Sequence, residues 1–232
     1  MSRFDPRALV LLFAVMLPAN LYAAYKLVRL ALDRKGGADV VSRTYESQVR
    51  EYESLNREFS GRRPVVFAGD SLVFRFAVEE YFPQLTVVNR GVYNDSATGL
   101  RKRWESTVSG LLPGFVVIMI GTNDILVGHG PDVAGQLDGI LDSLAPGSAC
   151  VLSIPPLGKE FCGKNDQVRA VNQVLQRVVK AKGQLWVDVF DDLNGDDGCL
   201  SVEFTDDGIH LNGKGYQVVS SRLREVFAPW VK

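Results

Sequence analysis

The chain is poor in the residues that build metal centres and disulfide frameworks. Its 232 residues include three cysteines and two histidines. The cysteines lack Cys-x-x-Cys spacing and are too few for a disulfide scaffold. Lysine plus arginine number 26 against 27 aspartates plus glutamates, so no positive excess points to nucleic acid. Internal repeats and low-complexity tracts are also missing. We therefore expect an ordinary folded domain with no metal and no nucleic-acid partner.

The amino-terminal region contains a long apolar stretch without charge. Ala8–Tyr25 carries no charged residue, and basic residues flank it on both sides. As a helix it would span about 27 Å, just short of a bilayer's hydrocarbon core. No Ala-x-Ala cleavage motif follows it before Asp33. We predict an uncleaved membrane anchor within residues 1–35. A cleaved signal peptide and a buried helix of a soluble domain are the alternatives.

The side of the membrane is less clearly marked. Basic residues are slightly more numerous after the apolar stretch, which favours a cytoplasmic domain. Cys162 and Cys199 both fall in predicted loops near one edge of the fold, and a disulfide between them would require an oxidising compartment. Two free thiols are the alternative. We expect the main domain to be extracytoplasmic, on the periplasmic side.

Residues 36–62 read as an amphipathic linker helix. After Gly36-Gly37, apolar residues recur at mostly helical spacing among charged ones: Val40, Val41, Tyr45, Val49, Tyr52 and Leu55. Gly61 and Pro64 end this pattern before the first strand. The main domain is therefore expected over residues 63–232.

Within that domain, short apolar runs alternate with helical patterns. Near-continuous apolar strands separated by helices are typical of a parallel sheet that is covered on both faces. We predict an α/β fold, a three-layer α/β/α flavodoxin-like sandwich with five parallel strands. The predicted strands are Val65–Ala68, Leu85–Asn89, Phe115–Ile120, Cys150–Ile154 and Leu185–Phe190. The predicted helices are Leu72–Tyr81, Ala97–Ser109, Val133–Leu144, Asn165–Lys182 and Gly215–Phe227.

Three of these strands end in glycine-containing polar segments. The first ends at Gly69-Asp70-Ser71, the second at Asn89-Arg90-Gly91 and the third at Gly121-Thr122-Asn123-Asp124. The carboxyl ends of parallel strands share one sheet edge, where ligands bind in open α/β folds. Ser71 is either a nucleophile at the start of a helix or an ordinary helix N-cap. An asparagine at this edge offers an uncharged N–H donor of the kind an oxyanion hole needs.

A histidine with a nearby acid follows in the segment before the last helix. His210 stands three residues after Asp207, a spacing that lets the carboxylate fold back onto the imidazole within one turn. The other imidazole nitrogen is then free to face a serine. Asp206 competes with Asp207 for the orienting position.

In these segments the sequence resembles the GDSL or SGNH hydrolases, over roughly Val65–Phe227. The matching blocks are Gly69-Asp70-Ser71-Leu72, the Gly91 of Asn89-Arg90-Gly91, Gly121-Thr122-Asn123-Asp124 and Asp207-Gly208-Ile209-His210. Four blocks in order are far more specific than any one. The Gly-x-Ser-x-Gly elbow of ordinary α/β-hydrolases is absent, because Val73 occupies its last position.

The resemblance implies a serine ester hydrolase that works through an acyl-enzyme without metal or organic cofactor. Ser71 would be the nucleophile, His210 the general base and Asp207 the residue that orients the imidazole. The backbone N–H groups of Ser71 and Gly91 and the side-chain amide of Asn123 would form the oxyanion hole.

Other polar residues near the edge have plainer interpretations. Asp70 and Asp124 are expected to brace loops through bonds to the backbone. His129 is expected to be a solvated loop histidine, with a place in the pocket wall as the alternative, and Arg90 and Tyr93 lie beside Gly91 without an assigned role. Asp192–Asp196 with Glu203 has spacing like a calcium loop, but Asp197 replaces its glycine, so an acidic surface turn is preferred.

The sequence does not name the substrate. Esters or thioesters of acyl chains, lipids and acetylated sugars all fit the family, and a membrane anchor draws attention to envelope polysaccharide and lipid-derived esters. Two other functions remain open: a membrane-tethered binding or assembly subunit without catalysis, and acyl transfer to a sugar instead of water.

Overall fold

The computed structural model describes residues 43–59 and 61–230. The chain divides after Glu46 into two units, and the first is described only at 43–46, inside helix α1 (43–55). The remainder of this account concerns the second unit, Ser47–Lys232. Among the described residues, no helix has the length and apolarity that a membrane crossing requires. The predicted anchor and the start of the predicted linker helix lie outside the described residues.

A five-stranded parallel sheet forms the centre of the second unit. Its strands are β1 (Val65–Gly69), β2 (Val87–Gly91), β3 (Phe115–Met119), β4 (Ala149–Leu152) and β5 (Leu185–Val187). Their order is β2-β1-β3-β4-β5, and every neighbouring pair is parallel. This is the doubly wound order of flavodoxin-like folds. The predicted five-stranded parallel sheet is therefore confirmed.

Helices cover both faces of the sheet, and each face has its own core. Successive side chains of a strand point to opposite faces, and Val66 and Ala68 belong to one buried cluster while Val65 and Phe67 belong to the other. The first cluster also contains apolar residues of α4 (Ala97–Thr107), α6 (Val133–Leu141) and α7 (Asn165–Ala181). The second contains those of α2 (Ser71–Phe74), α3 (Val78–Tyr81) and α9 (Gly213–Phe227).

The helix predicted over Leu72–Tyr81 is in fact two short helices, α2 and α3. The side-chain amide of Asn89 donates to the carbonyls of Val73 at 2.8 Å and Phe76 at 2.9 Å. The same carbonyls also accept the backbone N–H groups of Phe76 and Val78, at 3.0 and 2.8 Å, which are three and two residues further along instead of the four of a continuous helix. A bond from a distant strand therefore ends α2, which a local sequence pattern does not reveal.

Two further short helices were not predicted. These are α5 (Thr122–Leu126) and α8 (Phe190–Leu193), each of five residues or fewer. Such helices are too short to show the periodicity from which a helix is predicted. Helix α5 directly follows Gly121, so it carries Asn123 at the carboxyl edge of the sheet.

Candidate active site

Ser71 lies at the first position of α2, directly after the end of β1. The preceding residue, Asp70, caps the helix: its Oδ1 accepts the backbone N–H of Leu72 at 2.9 Å. The N-cap role therefore belongs to Asp70, which leaves the Ser71 hydroxyl free for another partner. Gly69 permits this tight junction, because a Cβ there would lie 1.9 Å from the carbonyl oxygen of Met119.

The structure brings the three predicted residues Ser71, His210 and Asp207 into one chain of contacts. Ser71 Oγ lies 2.9 Å from His210 Nε2. His210 Nδ1 lies 2.7 Å from Asp207 Oδ2. The serine is almost fully buried, whereas the histidine side chain is 20% exposed. A serine, an imidazole and a carboxylate in this order form the arrangement of a catalytic triad.

Local backbone bonds hold Asp207 in this arrangement. Its Oδ1 accepts the backbone N–H groups of His210 at 2.7 Å and Ile209 at 3.0 Å. Burial alone would raise the pKa of Asp207, but these bonds and the one with the imidazole outweigh it and lower the pKa to about 2. Asp207 is therefore a carboxylate at neutral pH, and Arg75 Nη1 lies 3.8 Å from its Oδ2.

Two of the three predicted oxyanion donors have free N–H groups. The backbone N–H of Ser71 has no acceptor among the described residues. Asn123 Nδ2 donates to the carbonyl of Asp95 at 2.9 Å. That bond uses one of the two amide hydrogens, so the second hydrogen remains available to a ligand.

The third predicted donor, Gly91, is occupied. Its backbone N–H donates to Asn89 Oδ1 at 2.8 Å, and its carbonyl accepts the Tyr52 hydroxyl at 2.7 Å. A Cβ at this position would lie 2.1 Å from the backbone nitrogen of Phe74. The Gly91 N–H is therefore not free to act as the predicted oxyanion donor in this geometry. The glycine is needed because β2 passes within backbone contact of α2.

Buried carboxylates surround the end of β1. Burial raises the pKa of Asp70 to about 7, and the bond from Leu72 offsets only part of this shift. Burial likewise raises the pKa of Asp124, whose Oδ2 accepts the backbone N–H of Ala97 at 3.1 Å. Both aspartates thus bond to the backbone, as predicted. A third, Asp95, was not singled out from the sequence, and it accepts from Arg103 Nε at 2.8 Å.

Residues of α1 reach the same edge of the sheet, a feature that the sequence did not reveal. The backbone N–H of Tyr93 donates to Gln48 Oε1 at 3.2 Å, and Tyr93 lies beside His210 with 6.3 Å between ring centroids. His129, by contrast, is an exposed loop residue whose Nδ1 lies 3.5 Å from Asp132.

The loop after β4 is linked to two later segments of the chain. Cys162 and Cys199 form a disulfide, so the interpretation as free thiols does not hold. Nearby, the backbone N–H of Gly158 donates to the carbonyl of Gly208 at 2.7 Å. Gly208 directly follows Asp207, so the loop after β4 contacts the segment that carries the triad acid and histidine.

In the acidic segment with calcium-like spacing, two of the carboxylates are paired with basic side chains. Asp192 forms two hydrogen bonds with Arg222, at 2.6 and 2.8 Å, and Glu203 pairs with Lys214 at 2.9 Å. The described part of the chain holds no cluster of three side chains able to bind a metal ion.

Comparison with solved structures finds chains of similar fold. A protein from Streptococcus pneumonia described as a platelet activating factor is 26% identical with a TM-score of 0.75, covering 87% of this chain and 99% of that one. A GDSL-like lipase from Bacteroides thetaiotaomicron is 18% identical with a TM-score of 0.70, covering 78% and 98%. An acetylxylan esterase from Geobacillus stearothermophilus is 19% identical with a TM-score of 0.61, covering 75% and 97%. The last two show likeness of fold alone.

A family comparison covers the same region as the site. Comparison with curated proteins gave no match. Residues 69–218 match the GDSL-like Lipase/Acylhydrolase family, which is more than half of the chain and includes every residue of the Ser71–His210–Asp207 arrangement. The chain therefore belongs to the GDSL-like lipase/acylhydrolase family and is a hydrolase of that type.

Proposed function

We propose that this protein is a serine esterase that hydrolyses carboxylic esters through an acyl-enzyme on Ser71. One observation carries the proposal: Ser71 Oγ lies 2.9 Å from His210 Nε2 while Asp207 holds the other imidazole nitrogen at 2.7 Å. Catalytic mutants of the acetylxylan esterase replace one serine and one histidine by alanine, which agrees with these roles.

The chemistry follows from the contacts. His210 Nε2 accepts the Ser71 proton as Oγ attacks the ester carbonyl, and it then donates that proton to the leaving alcohol. Water then attacks the acyl-enzyme while His210 Nε2 accepts its proton, and His210 returns that proton to Ser71 Oγ as the acid is released. Asp207, ionised at neutral pH, keeps the Nδ1–H tautomer and stabilises the imidazolium.

The oxyanion is stabilised by donors at the carboxyl edge of the sheet. We assign the Ser71 backbone N–H and the second amide hydrogen of Asn123 to this role. Asn94 replaces Gly91 as the third candidate, since its φ of +54° is left-handed and its backbone N–H has no acceptor among the described residues. The carbonyl of its neighbour Asp95 accepts the Asn123 side-chain amide, so the loop that contains Asn94 also contacts Asn123.

We propose the type of bond that is cleaved, a carboxylic ester, and two candidate classes of substrate that contain it. The acetylxylan esterase and the GDSL-like lipase among the structural neighbours together represent acetylated sugars and lipid esters. Acetyl groups on envelope polysaccharide and lipid-derived esters are the two classes that a membrane-proximal esterase would meet. Chain-length dependence separates them.

We place the domain outside the cytoplasm, tethered by the apolar segment Ala8–Tyr25. The Cys162–Cys199 disulfide supports this location, because disulfides persist in oxidising compartments. A reporter fused after Lys232 tests it. Activity of an exported-only reporter such as alkaline phosphatase supports the proposal, and activity of a cytoplasmic-only reporter overturns it.

The test of the activity uses a chain that starts at residue 39, as wild type and as Ser71→Ala. Release of p-nitrophenol is followed from acetyl, butyryl and octanoyl esters. We expect turnover that Ser71→Ala abolishes, labelling of Ser71 by a fluorophosphonate, and a chain-length profile that selects acetyl or longer acyl groups.

Two outcomes would replace the proposal. No turnover and no fluorophosphonate labelling would indicate a binding or assembly subunit that retains the fold. Labelling of Ser71 with acyl transfer to an added sugar, in preference to water, would indicate an acyltransferase.

A further inference from the structure

An exposed aromatic side chain, Tyr93, lies beside the triad histidine, and a second, Phe74, packs against it. Phe74 and Tyr93 are 39% and 37% exposed. Their rings meet edge to face with centroids 5.0 Å apart, and the Tyr93 ring lies 6.3 Å from that of His210. Large aromatic side chains left in water beside a reactive group are candidates for ligand contact.

The position of this pair relative to His210 decides which part of an ester it meets. His210 donates its proton to the oxygen of the leaving alcohol, so that alcohol lies against the imidazole during the reaction. Tyr93 flanks the imidazole, so its ring faces the alcohol side of the ester.

Helix α1 holds Tyr93 in this place. Gln48 Oε1 accepts the Tyr93 backbone N–H at 3.2 Å, and Tyr52 donates its hydroxyl to the Gly91 carbonyl two residues earlier. The buried Arg90 guanidinium lies 4.8 Å over the Tyr52 ring and donates to Asn56 Oδ1 at 3.0 Å. Three successive turns of the segment 48–56 thus bind the end of β2 and the residues that follow it.

We propose that Phe74 and Tyr93 form the binding wall for the leaving alcohol, and that α1 positions this wall through Gln48. An aromatic wall favours alcohols with a flat apolar face, either an aromatic ring or a pyranose, over short alkyl alcohols. The inference rests on the proposed esterase function. It adds a specificity residue, Tyr93, and a positioning residue, Gln48, and the latter lies outside the region 69–218 that matches the family.

The test compares acetates of different alcohols in the wild type and in Tyr93→Ala, with release of acetic acid followed by pH-stat. The alcohols are phenol, ethanol and a mono-O-acetylated methyl glucoside. Each effect is expressed as variant over wild type for the same ester, which cancels the intrinsic reactivity of the leaving group. We expect Tyr93→Ala to lower kcat/KM about 3- to 10-fold for an alcohol with a flat face, through KM, and to leave ethyl acetate within about 2-fold.

Comparison of phenyl acetate with the acetylated glucoside shows whether the wall binds aromatic alcohols alone or sugars as well. A loss confined to phenyl acetate assigns the wall to aromatic alcohols, and a loss that includes the glucoside extends it to sugars. Equal losses for all three acetates would overturn the proposal, because the ring would then act on the fold alone. A changed preference between acetyl and butyryl esters would also overturn it, by placing Tyr93 on the acyl side.

Gln48 is tested by a conservative pair. Gln48→Ala removes the acceptor of the Tyr93 N–H and is expected to raise the KM for phenyl acetate in the same direction as Tyr93→Ala. Gln48→Glu keeps an oxygen acceptor and is expected to restore the wild-type KM. Ser54→Ala is the matched control, since within the described part of the chain the Ser54 hydroxyl bonds only inside α1, to the Glu51 carbonyl.

An unchanged KM in Gln48→Ala, with the thermal midpoint also unchanged, would remove α1 from the proposal. A wild-type chain that hydrolyses none of the acetates would instead contradict the esterase function itself. The two failures are therefore distinct.

Discussion

Arg103 Nε donates a 2.8 Å hydrogen bond to Asp95 Oδ2, and both side chains are almost completely buried. The same guanidinium donates to the Gly69 carbonyl at 3.0 Å. The Asp95 carbonyl in turn accepts the side-chain amide of Asn123. One arginine of α4 therefore ties the end of β1, just before Ser71, to the loop that holds Asn123.

Replacing Arg103 by methionine is expected to destabilise the protein by about 3–5 kcal/mol. The change removes the Arg103 guanidinium from the buried carboxylate of Asp95, and breaking a buried ion pair by removing one partner costs more than the pair itself contributes. Urea unfolding measures the effect. The double variant Arg103→Met with Asp95→Leu should regain part of the loss, and a single-variant loss below about 1 kcal/mol would contradict a buried charge pair.

Asn123→Ala is expected to lower kcat about 10²- to 10³-fold with little change in KM, as removal of one oxyanion donor does. Kinetics with p-nitrophenyl acetate measures both constants. The variant should still fold, because the Asn123 side chain makes one hydrogen bond to the residues that the structure describes, to the Asp95 carbonyl, and the thermal midpoint checks this. A kcat within about 3-fold of wild type would exclude Asn123 from the oxyanion hole.

Asp70→Asn is expected to make stability less dependent on pH. The folded state raises the pKa of Asp70 from 3.8 to about 7. The folded protein therefore keeps a proton that the unfolded chain releases, and stability from this group is lost as pH rises from about 4 through about 7. Urea midpoints at about pH 5 and about pH 8 should differ less in the variant than in the wild type. Asp124 is present in both proteins, so its own effect on the pH dependence of stability is common to them. If the change in urea midpoint between the two pH values is the same in the variant and in the wild type, the raised pKa of Asp70 is contradicted.

Reduction of the Cys162–Cys199 disulfide is expected to cost about 2–4 kcal/mol of stability, since it releases a loop of 37 residues in the unfolded chain. Urea unfolding with and without dithiothreitol measures this loss. The double variant Cys162→Ser with Cys199→Ser should have the same stability with and without dithiothreitol. Cys150 is fully buried, and burial raises the pKa of its thiol, so it should react with a thiol reagent only on unfolding.

The strands were predictable because their signals are local, whereas the roles of Ser71 and His210, 139 residues apart, were expected from four sequence blocks that resemble the family. Apolar runs such as Val65–Ala68 mark buried strands, and the spacing of Asp207 and His210 suits a contact within one turn. The occupied N–H of Gly91 was not predictable, since a sequence places Asn89 two residues away without showing where its side chain points. Pairs that meet across the fold, such as Gln48 with Tyr93, leave no pattern along the chain. Arg103 was hidden for another reason: in α4 its charge suggests an exposed position.

Gly158 and Gly208 meet backbone to backbone, and a Cβ on Gly158 would lie 2.5 Å from the Cα of Gly208. No side chain can therefore be inserted between the loop after β4 and the segment that carries Asp207 and His210. Adaptation to a new ester has to proceed around this contact, through residues that line the site elsewhere. If Phe74 and Tyr93 form the wall for the leaving alcohol, as proposed above, specificity can change there while the contact between Gly158 and Gly208 stays constant.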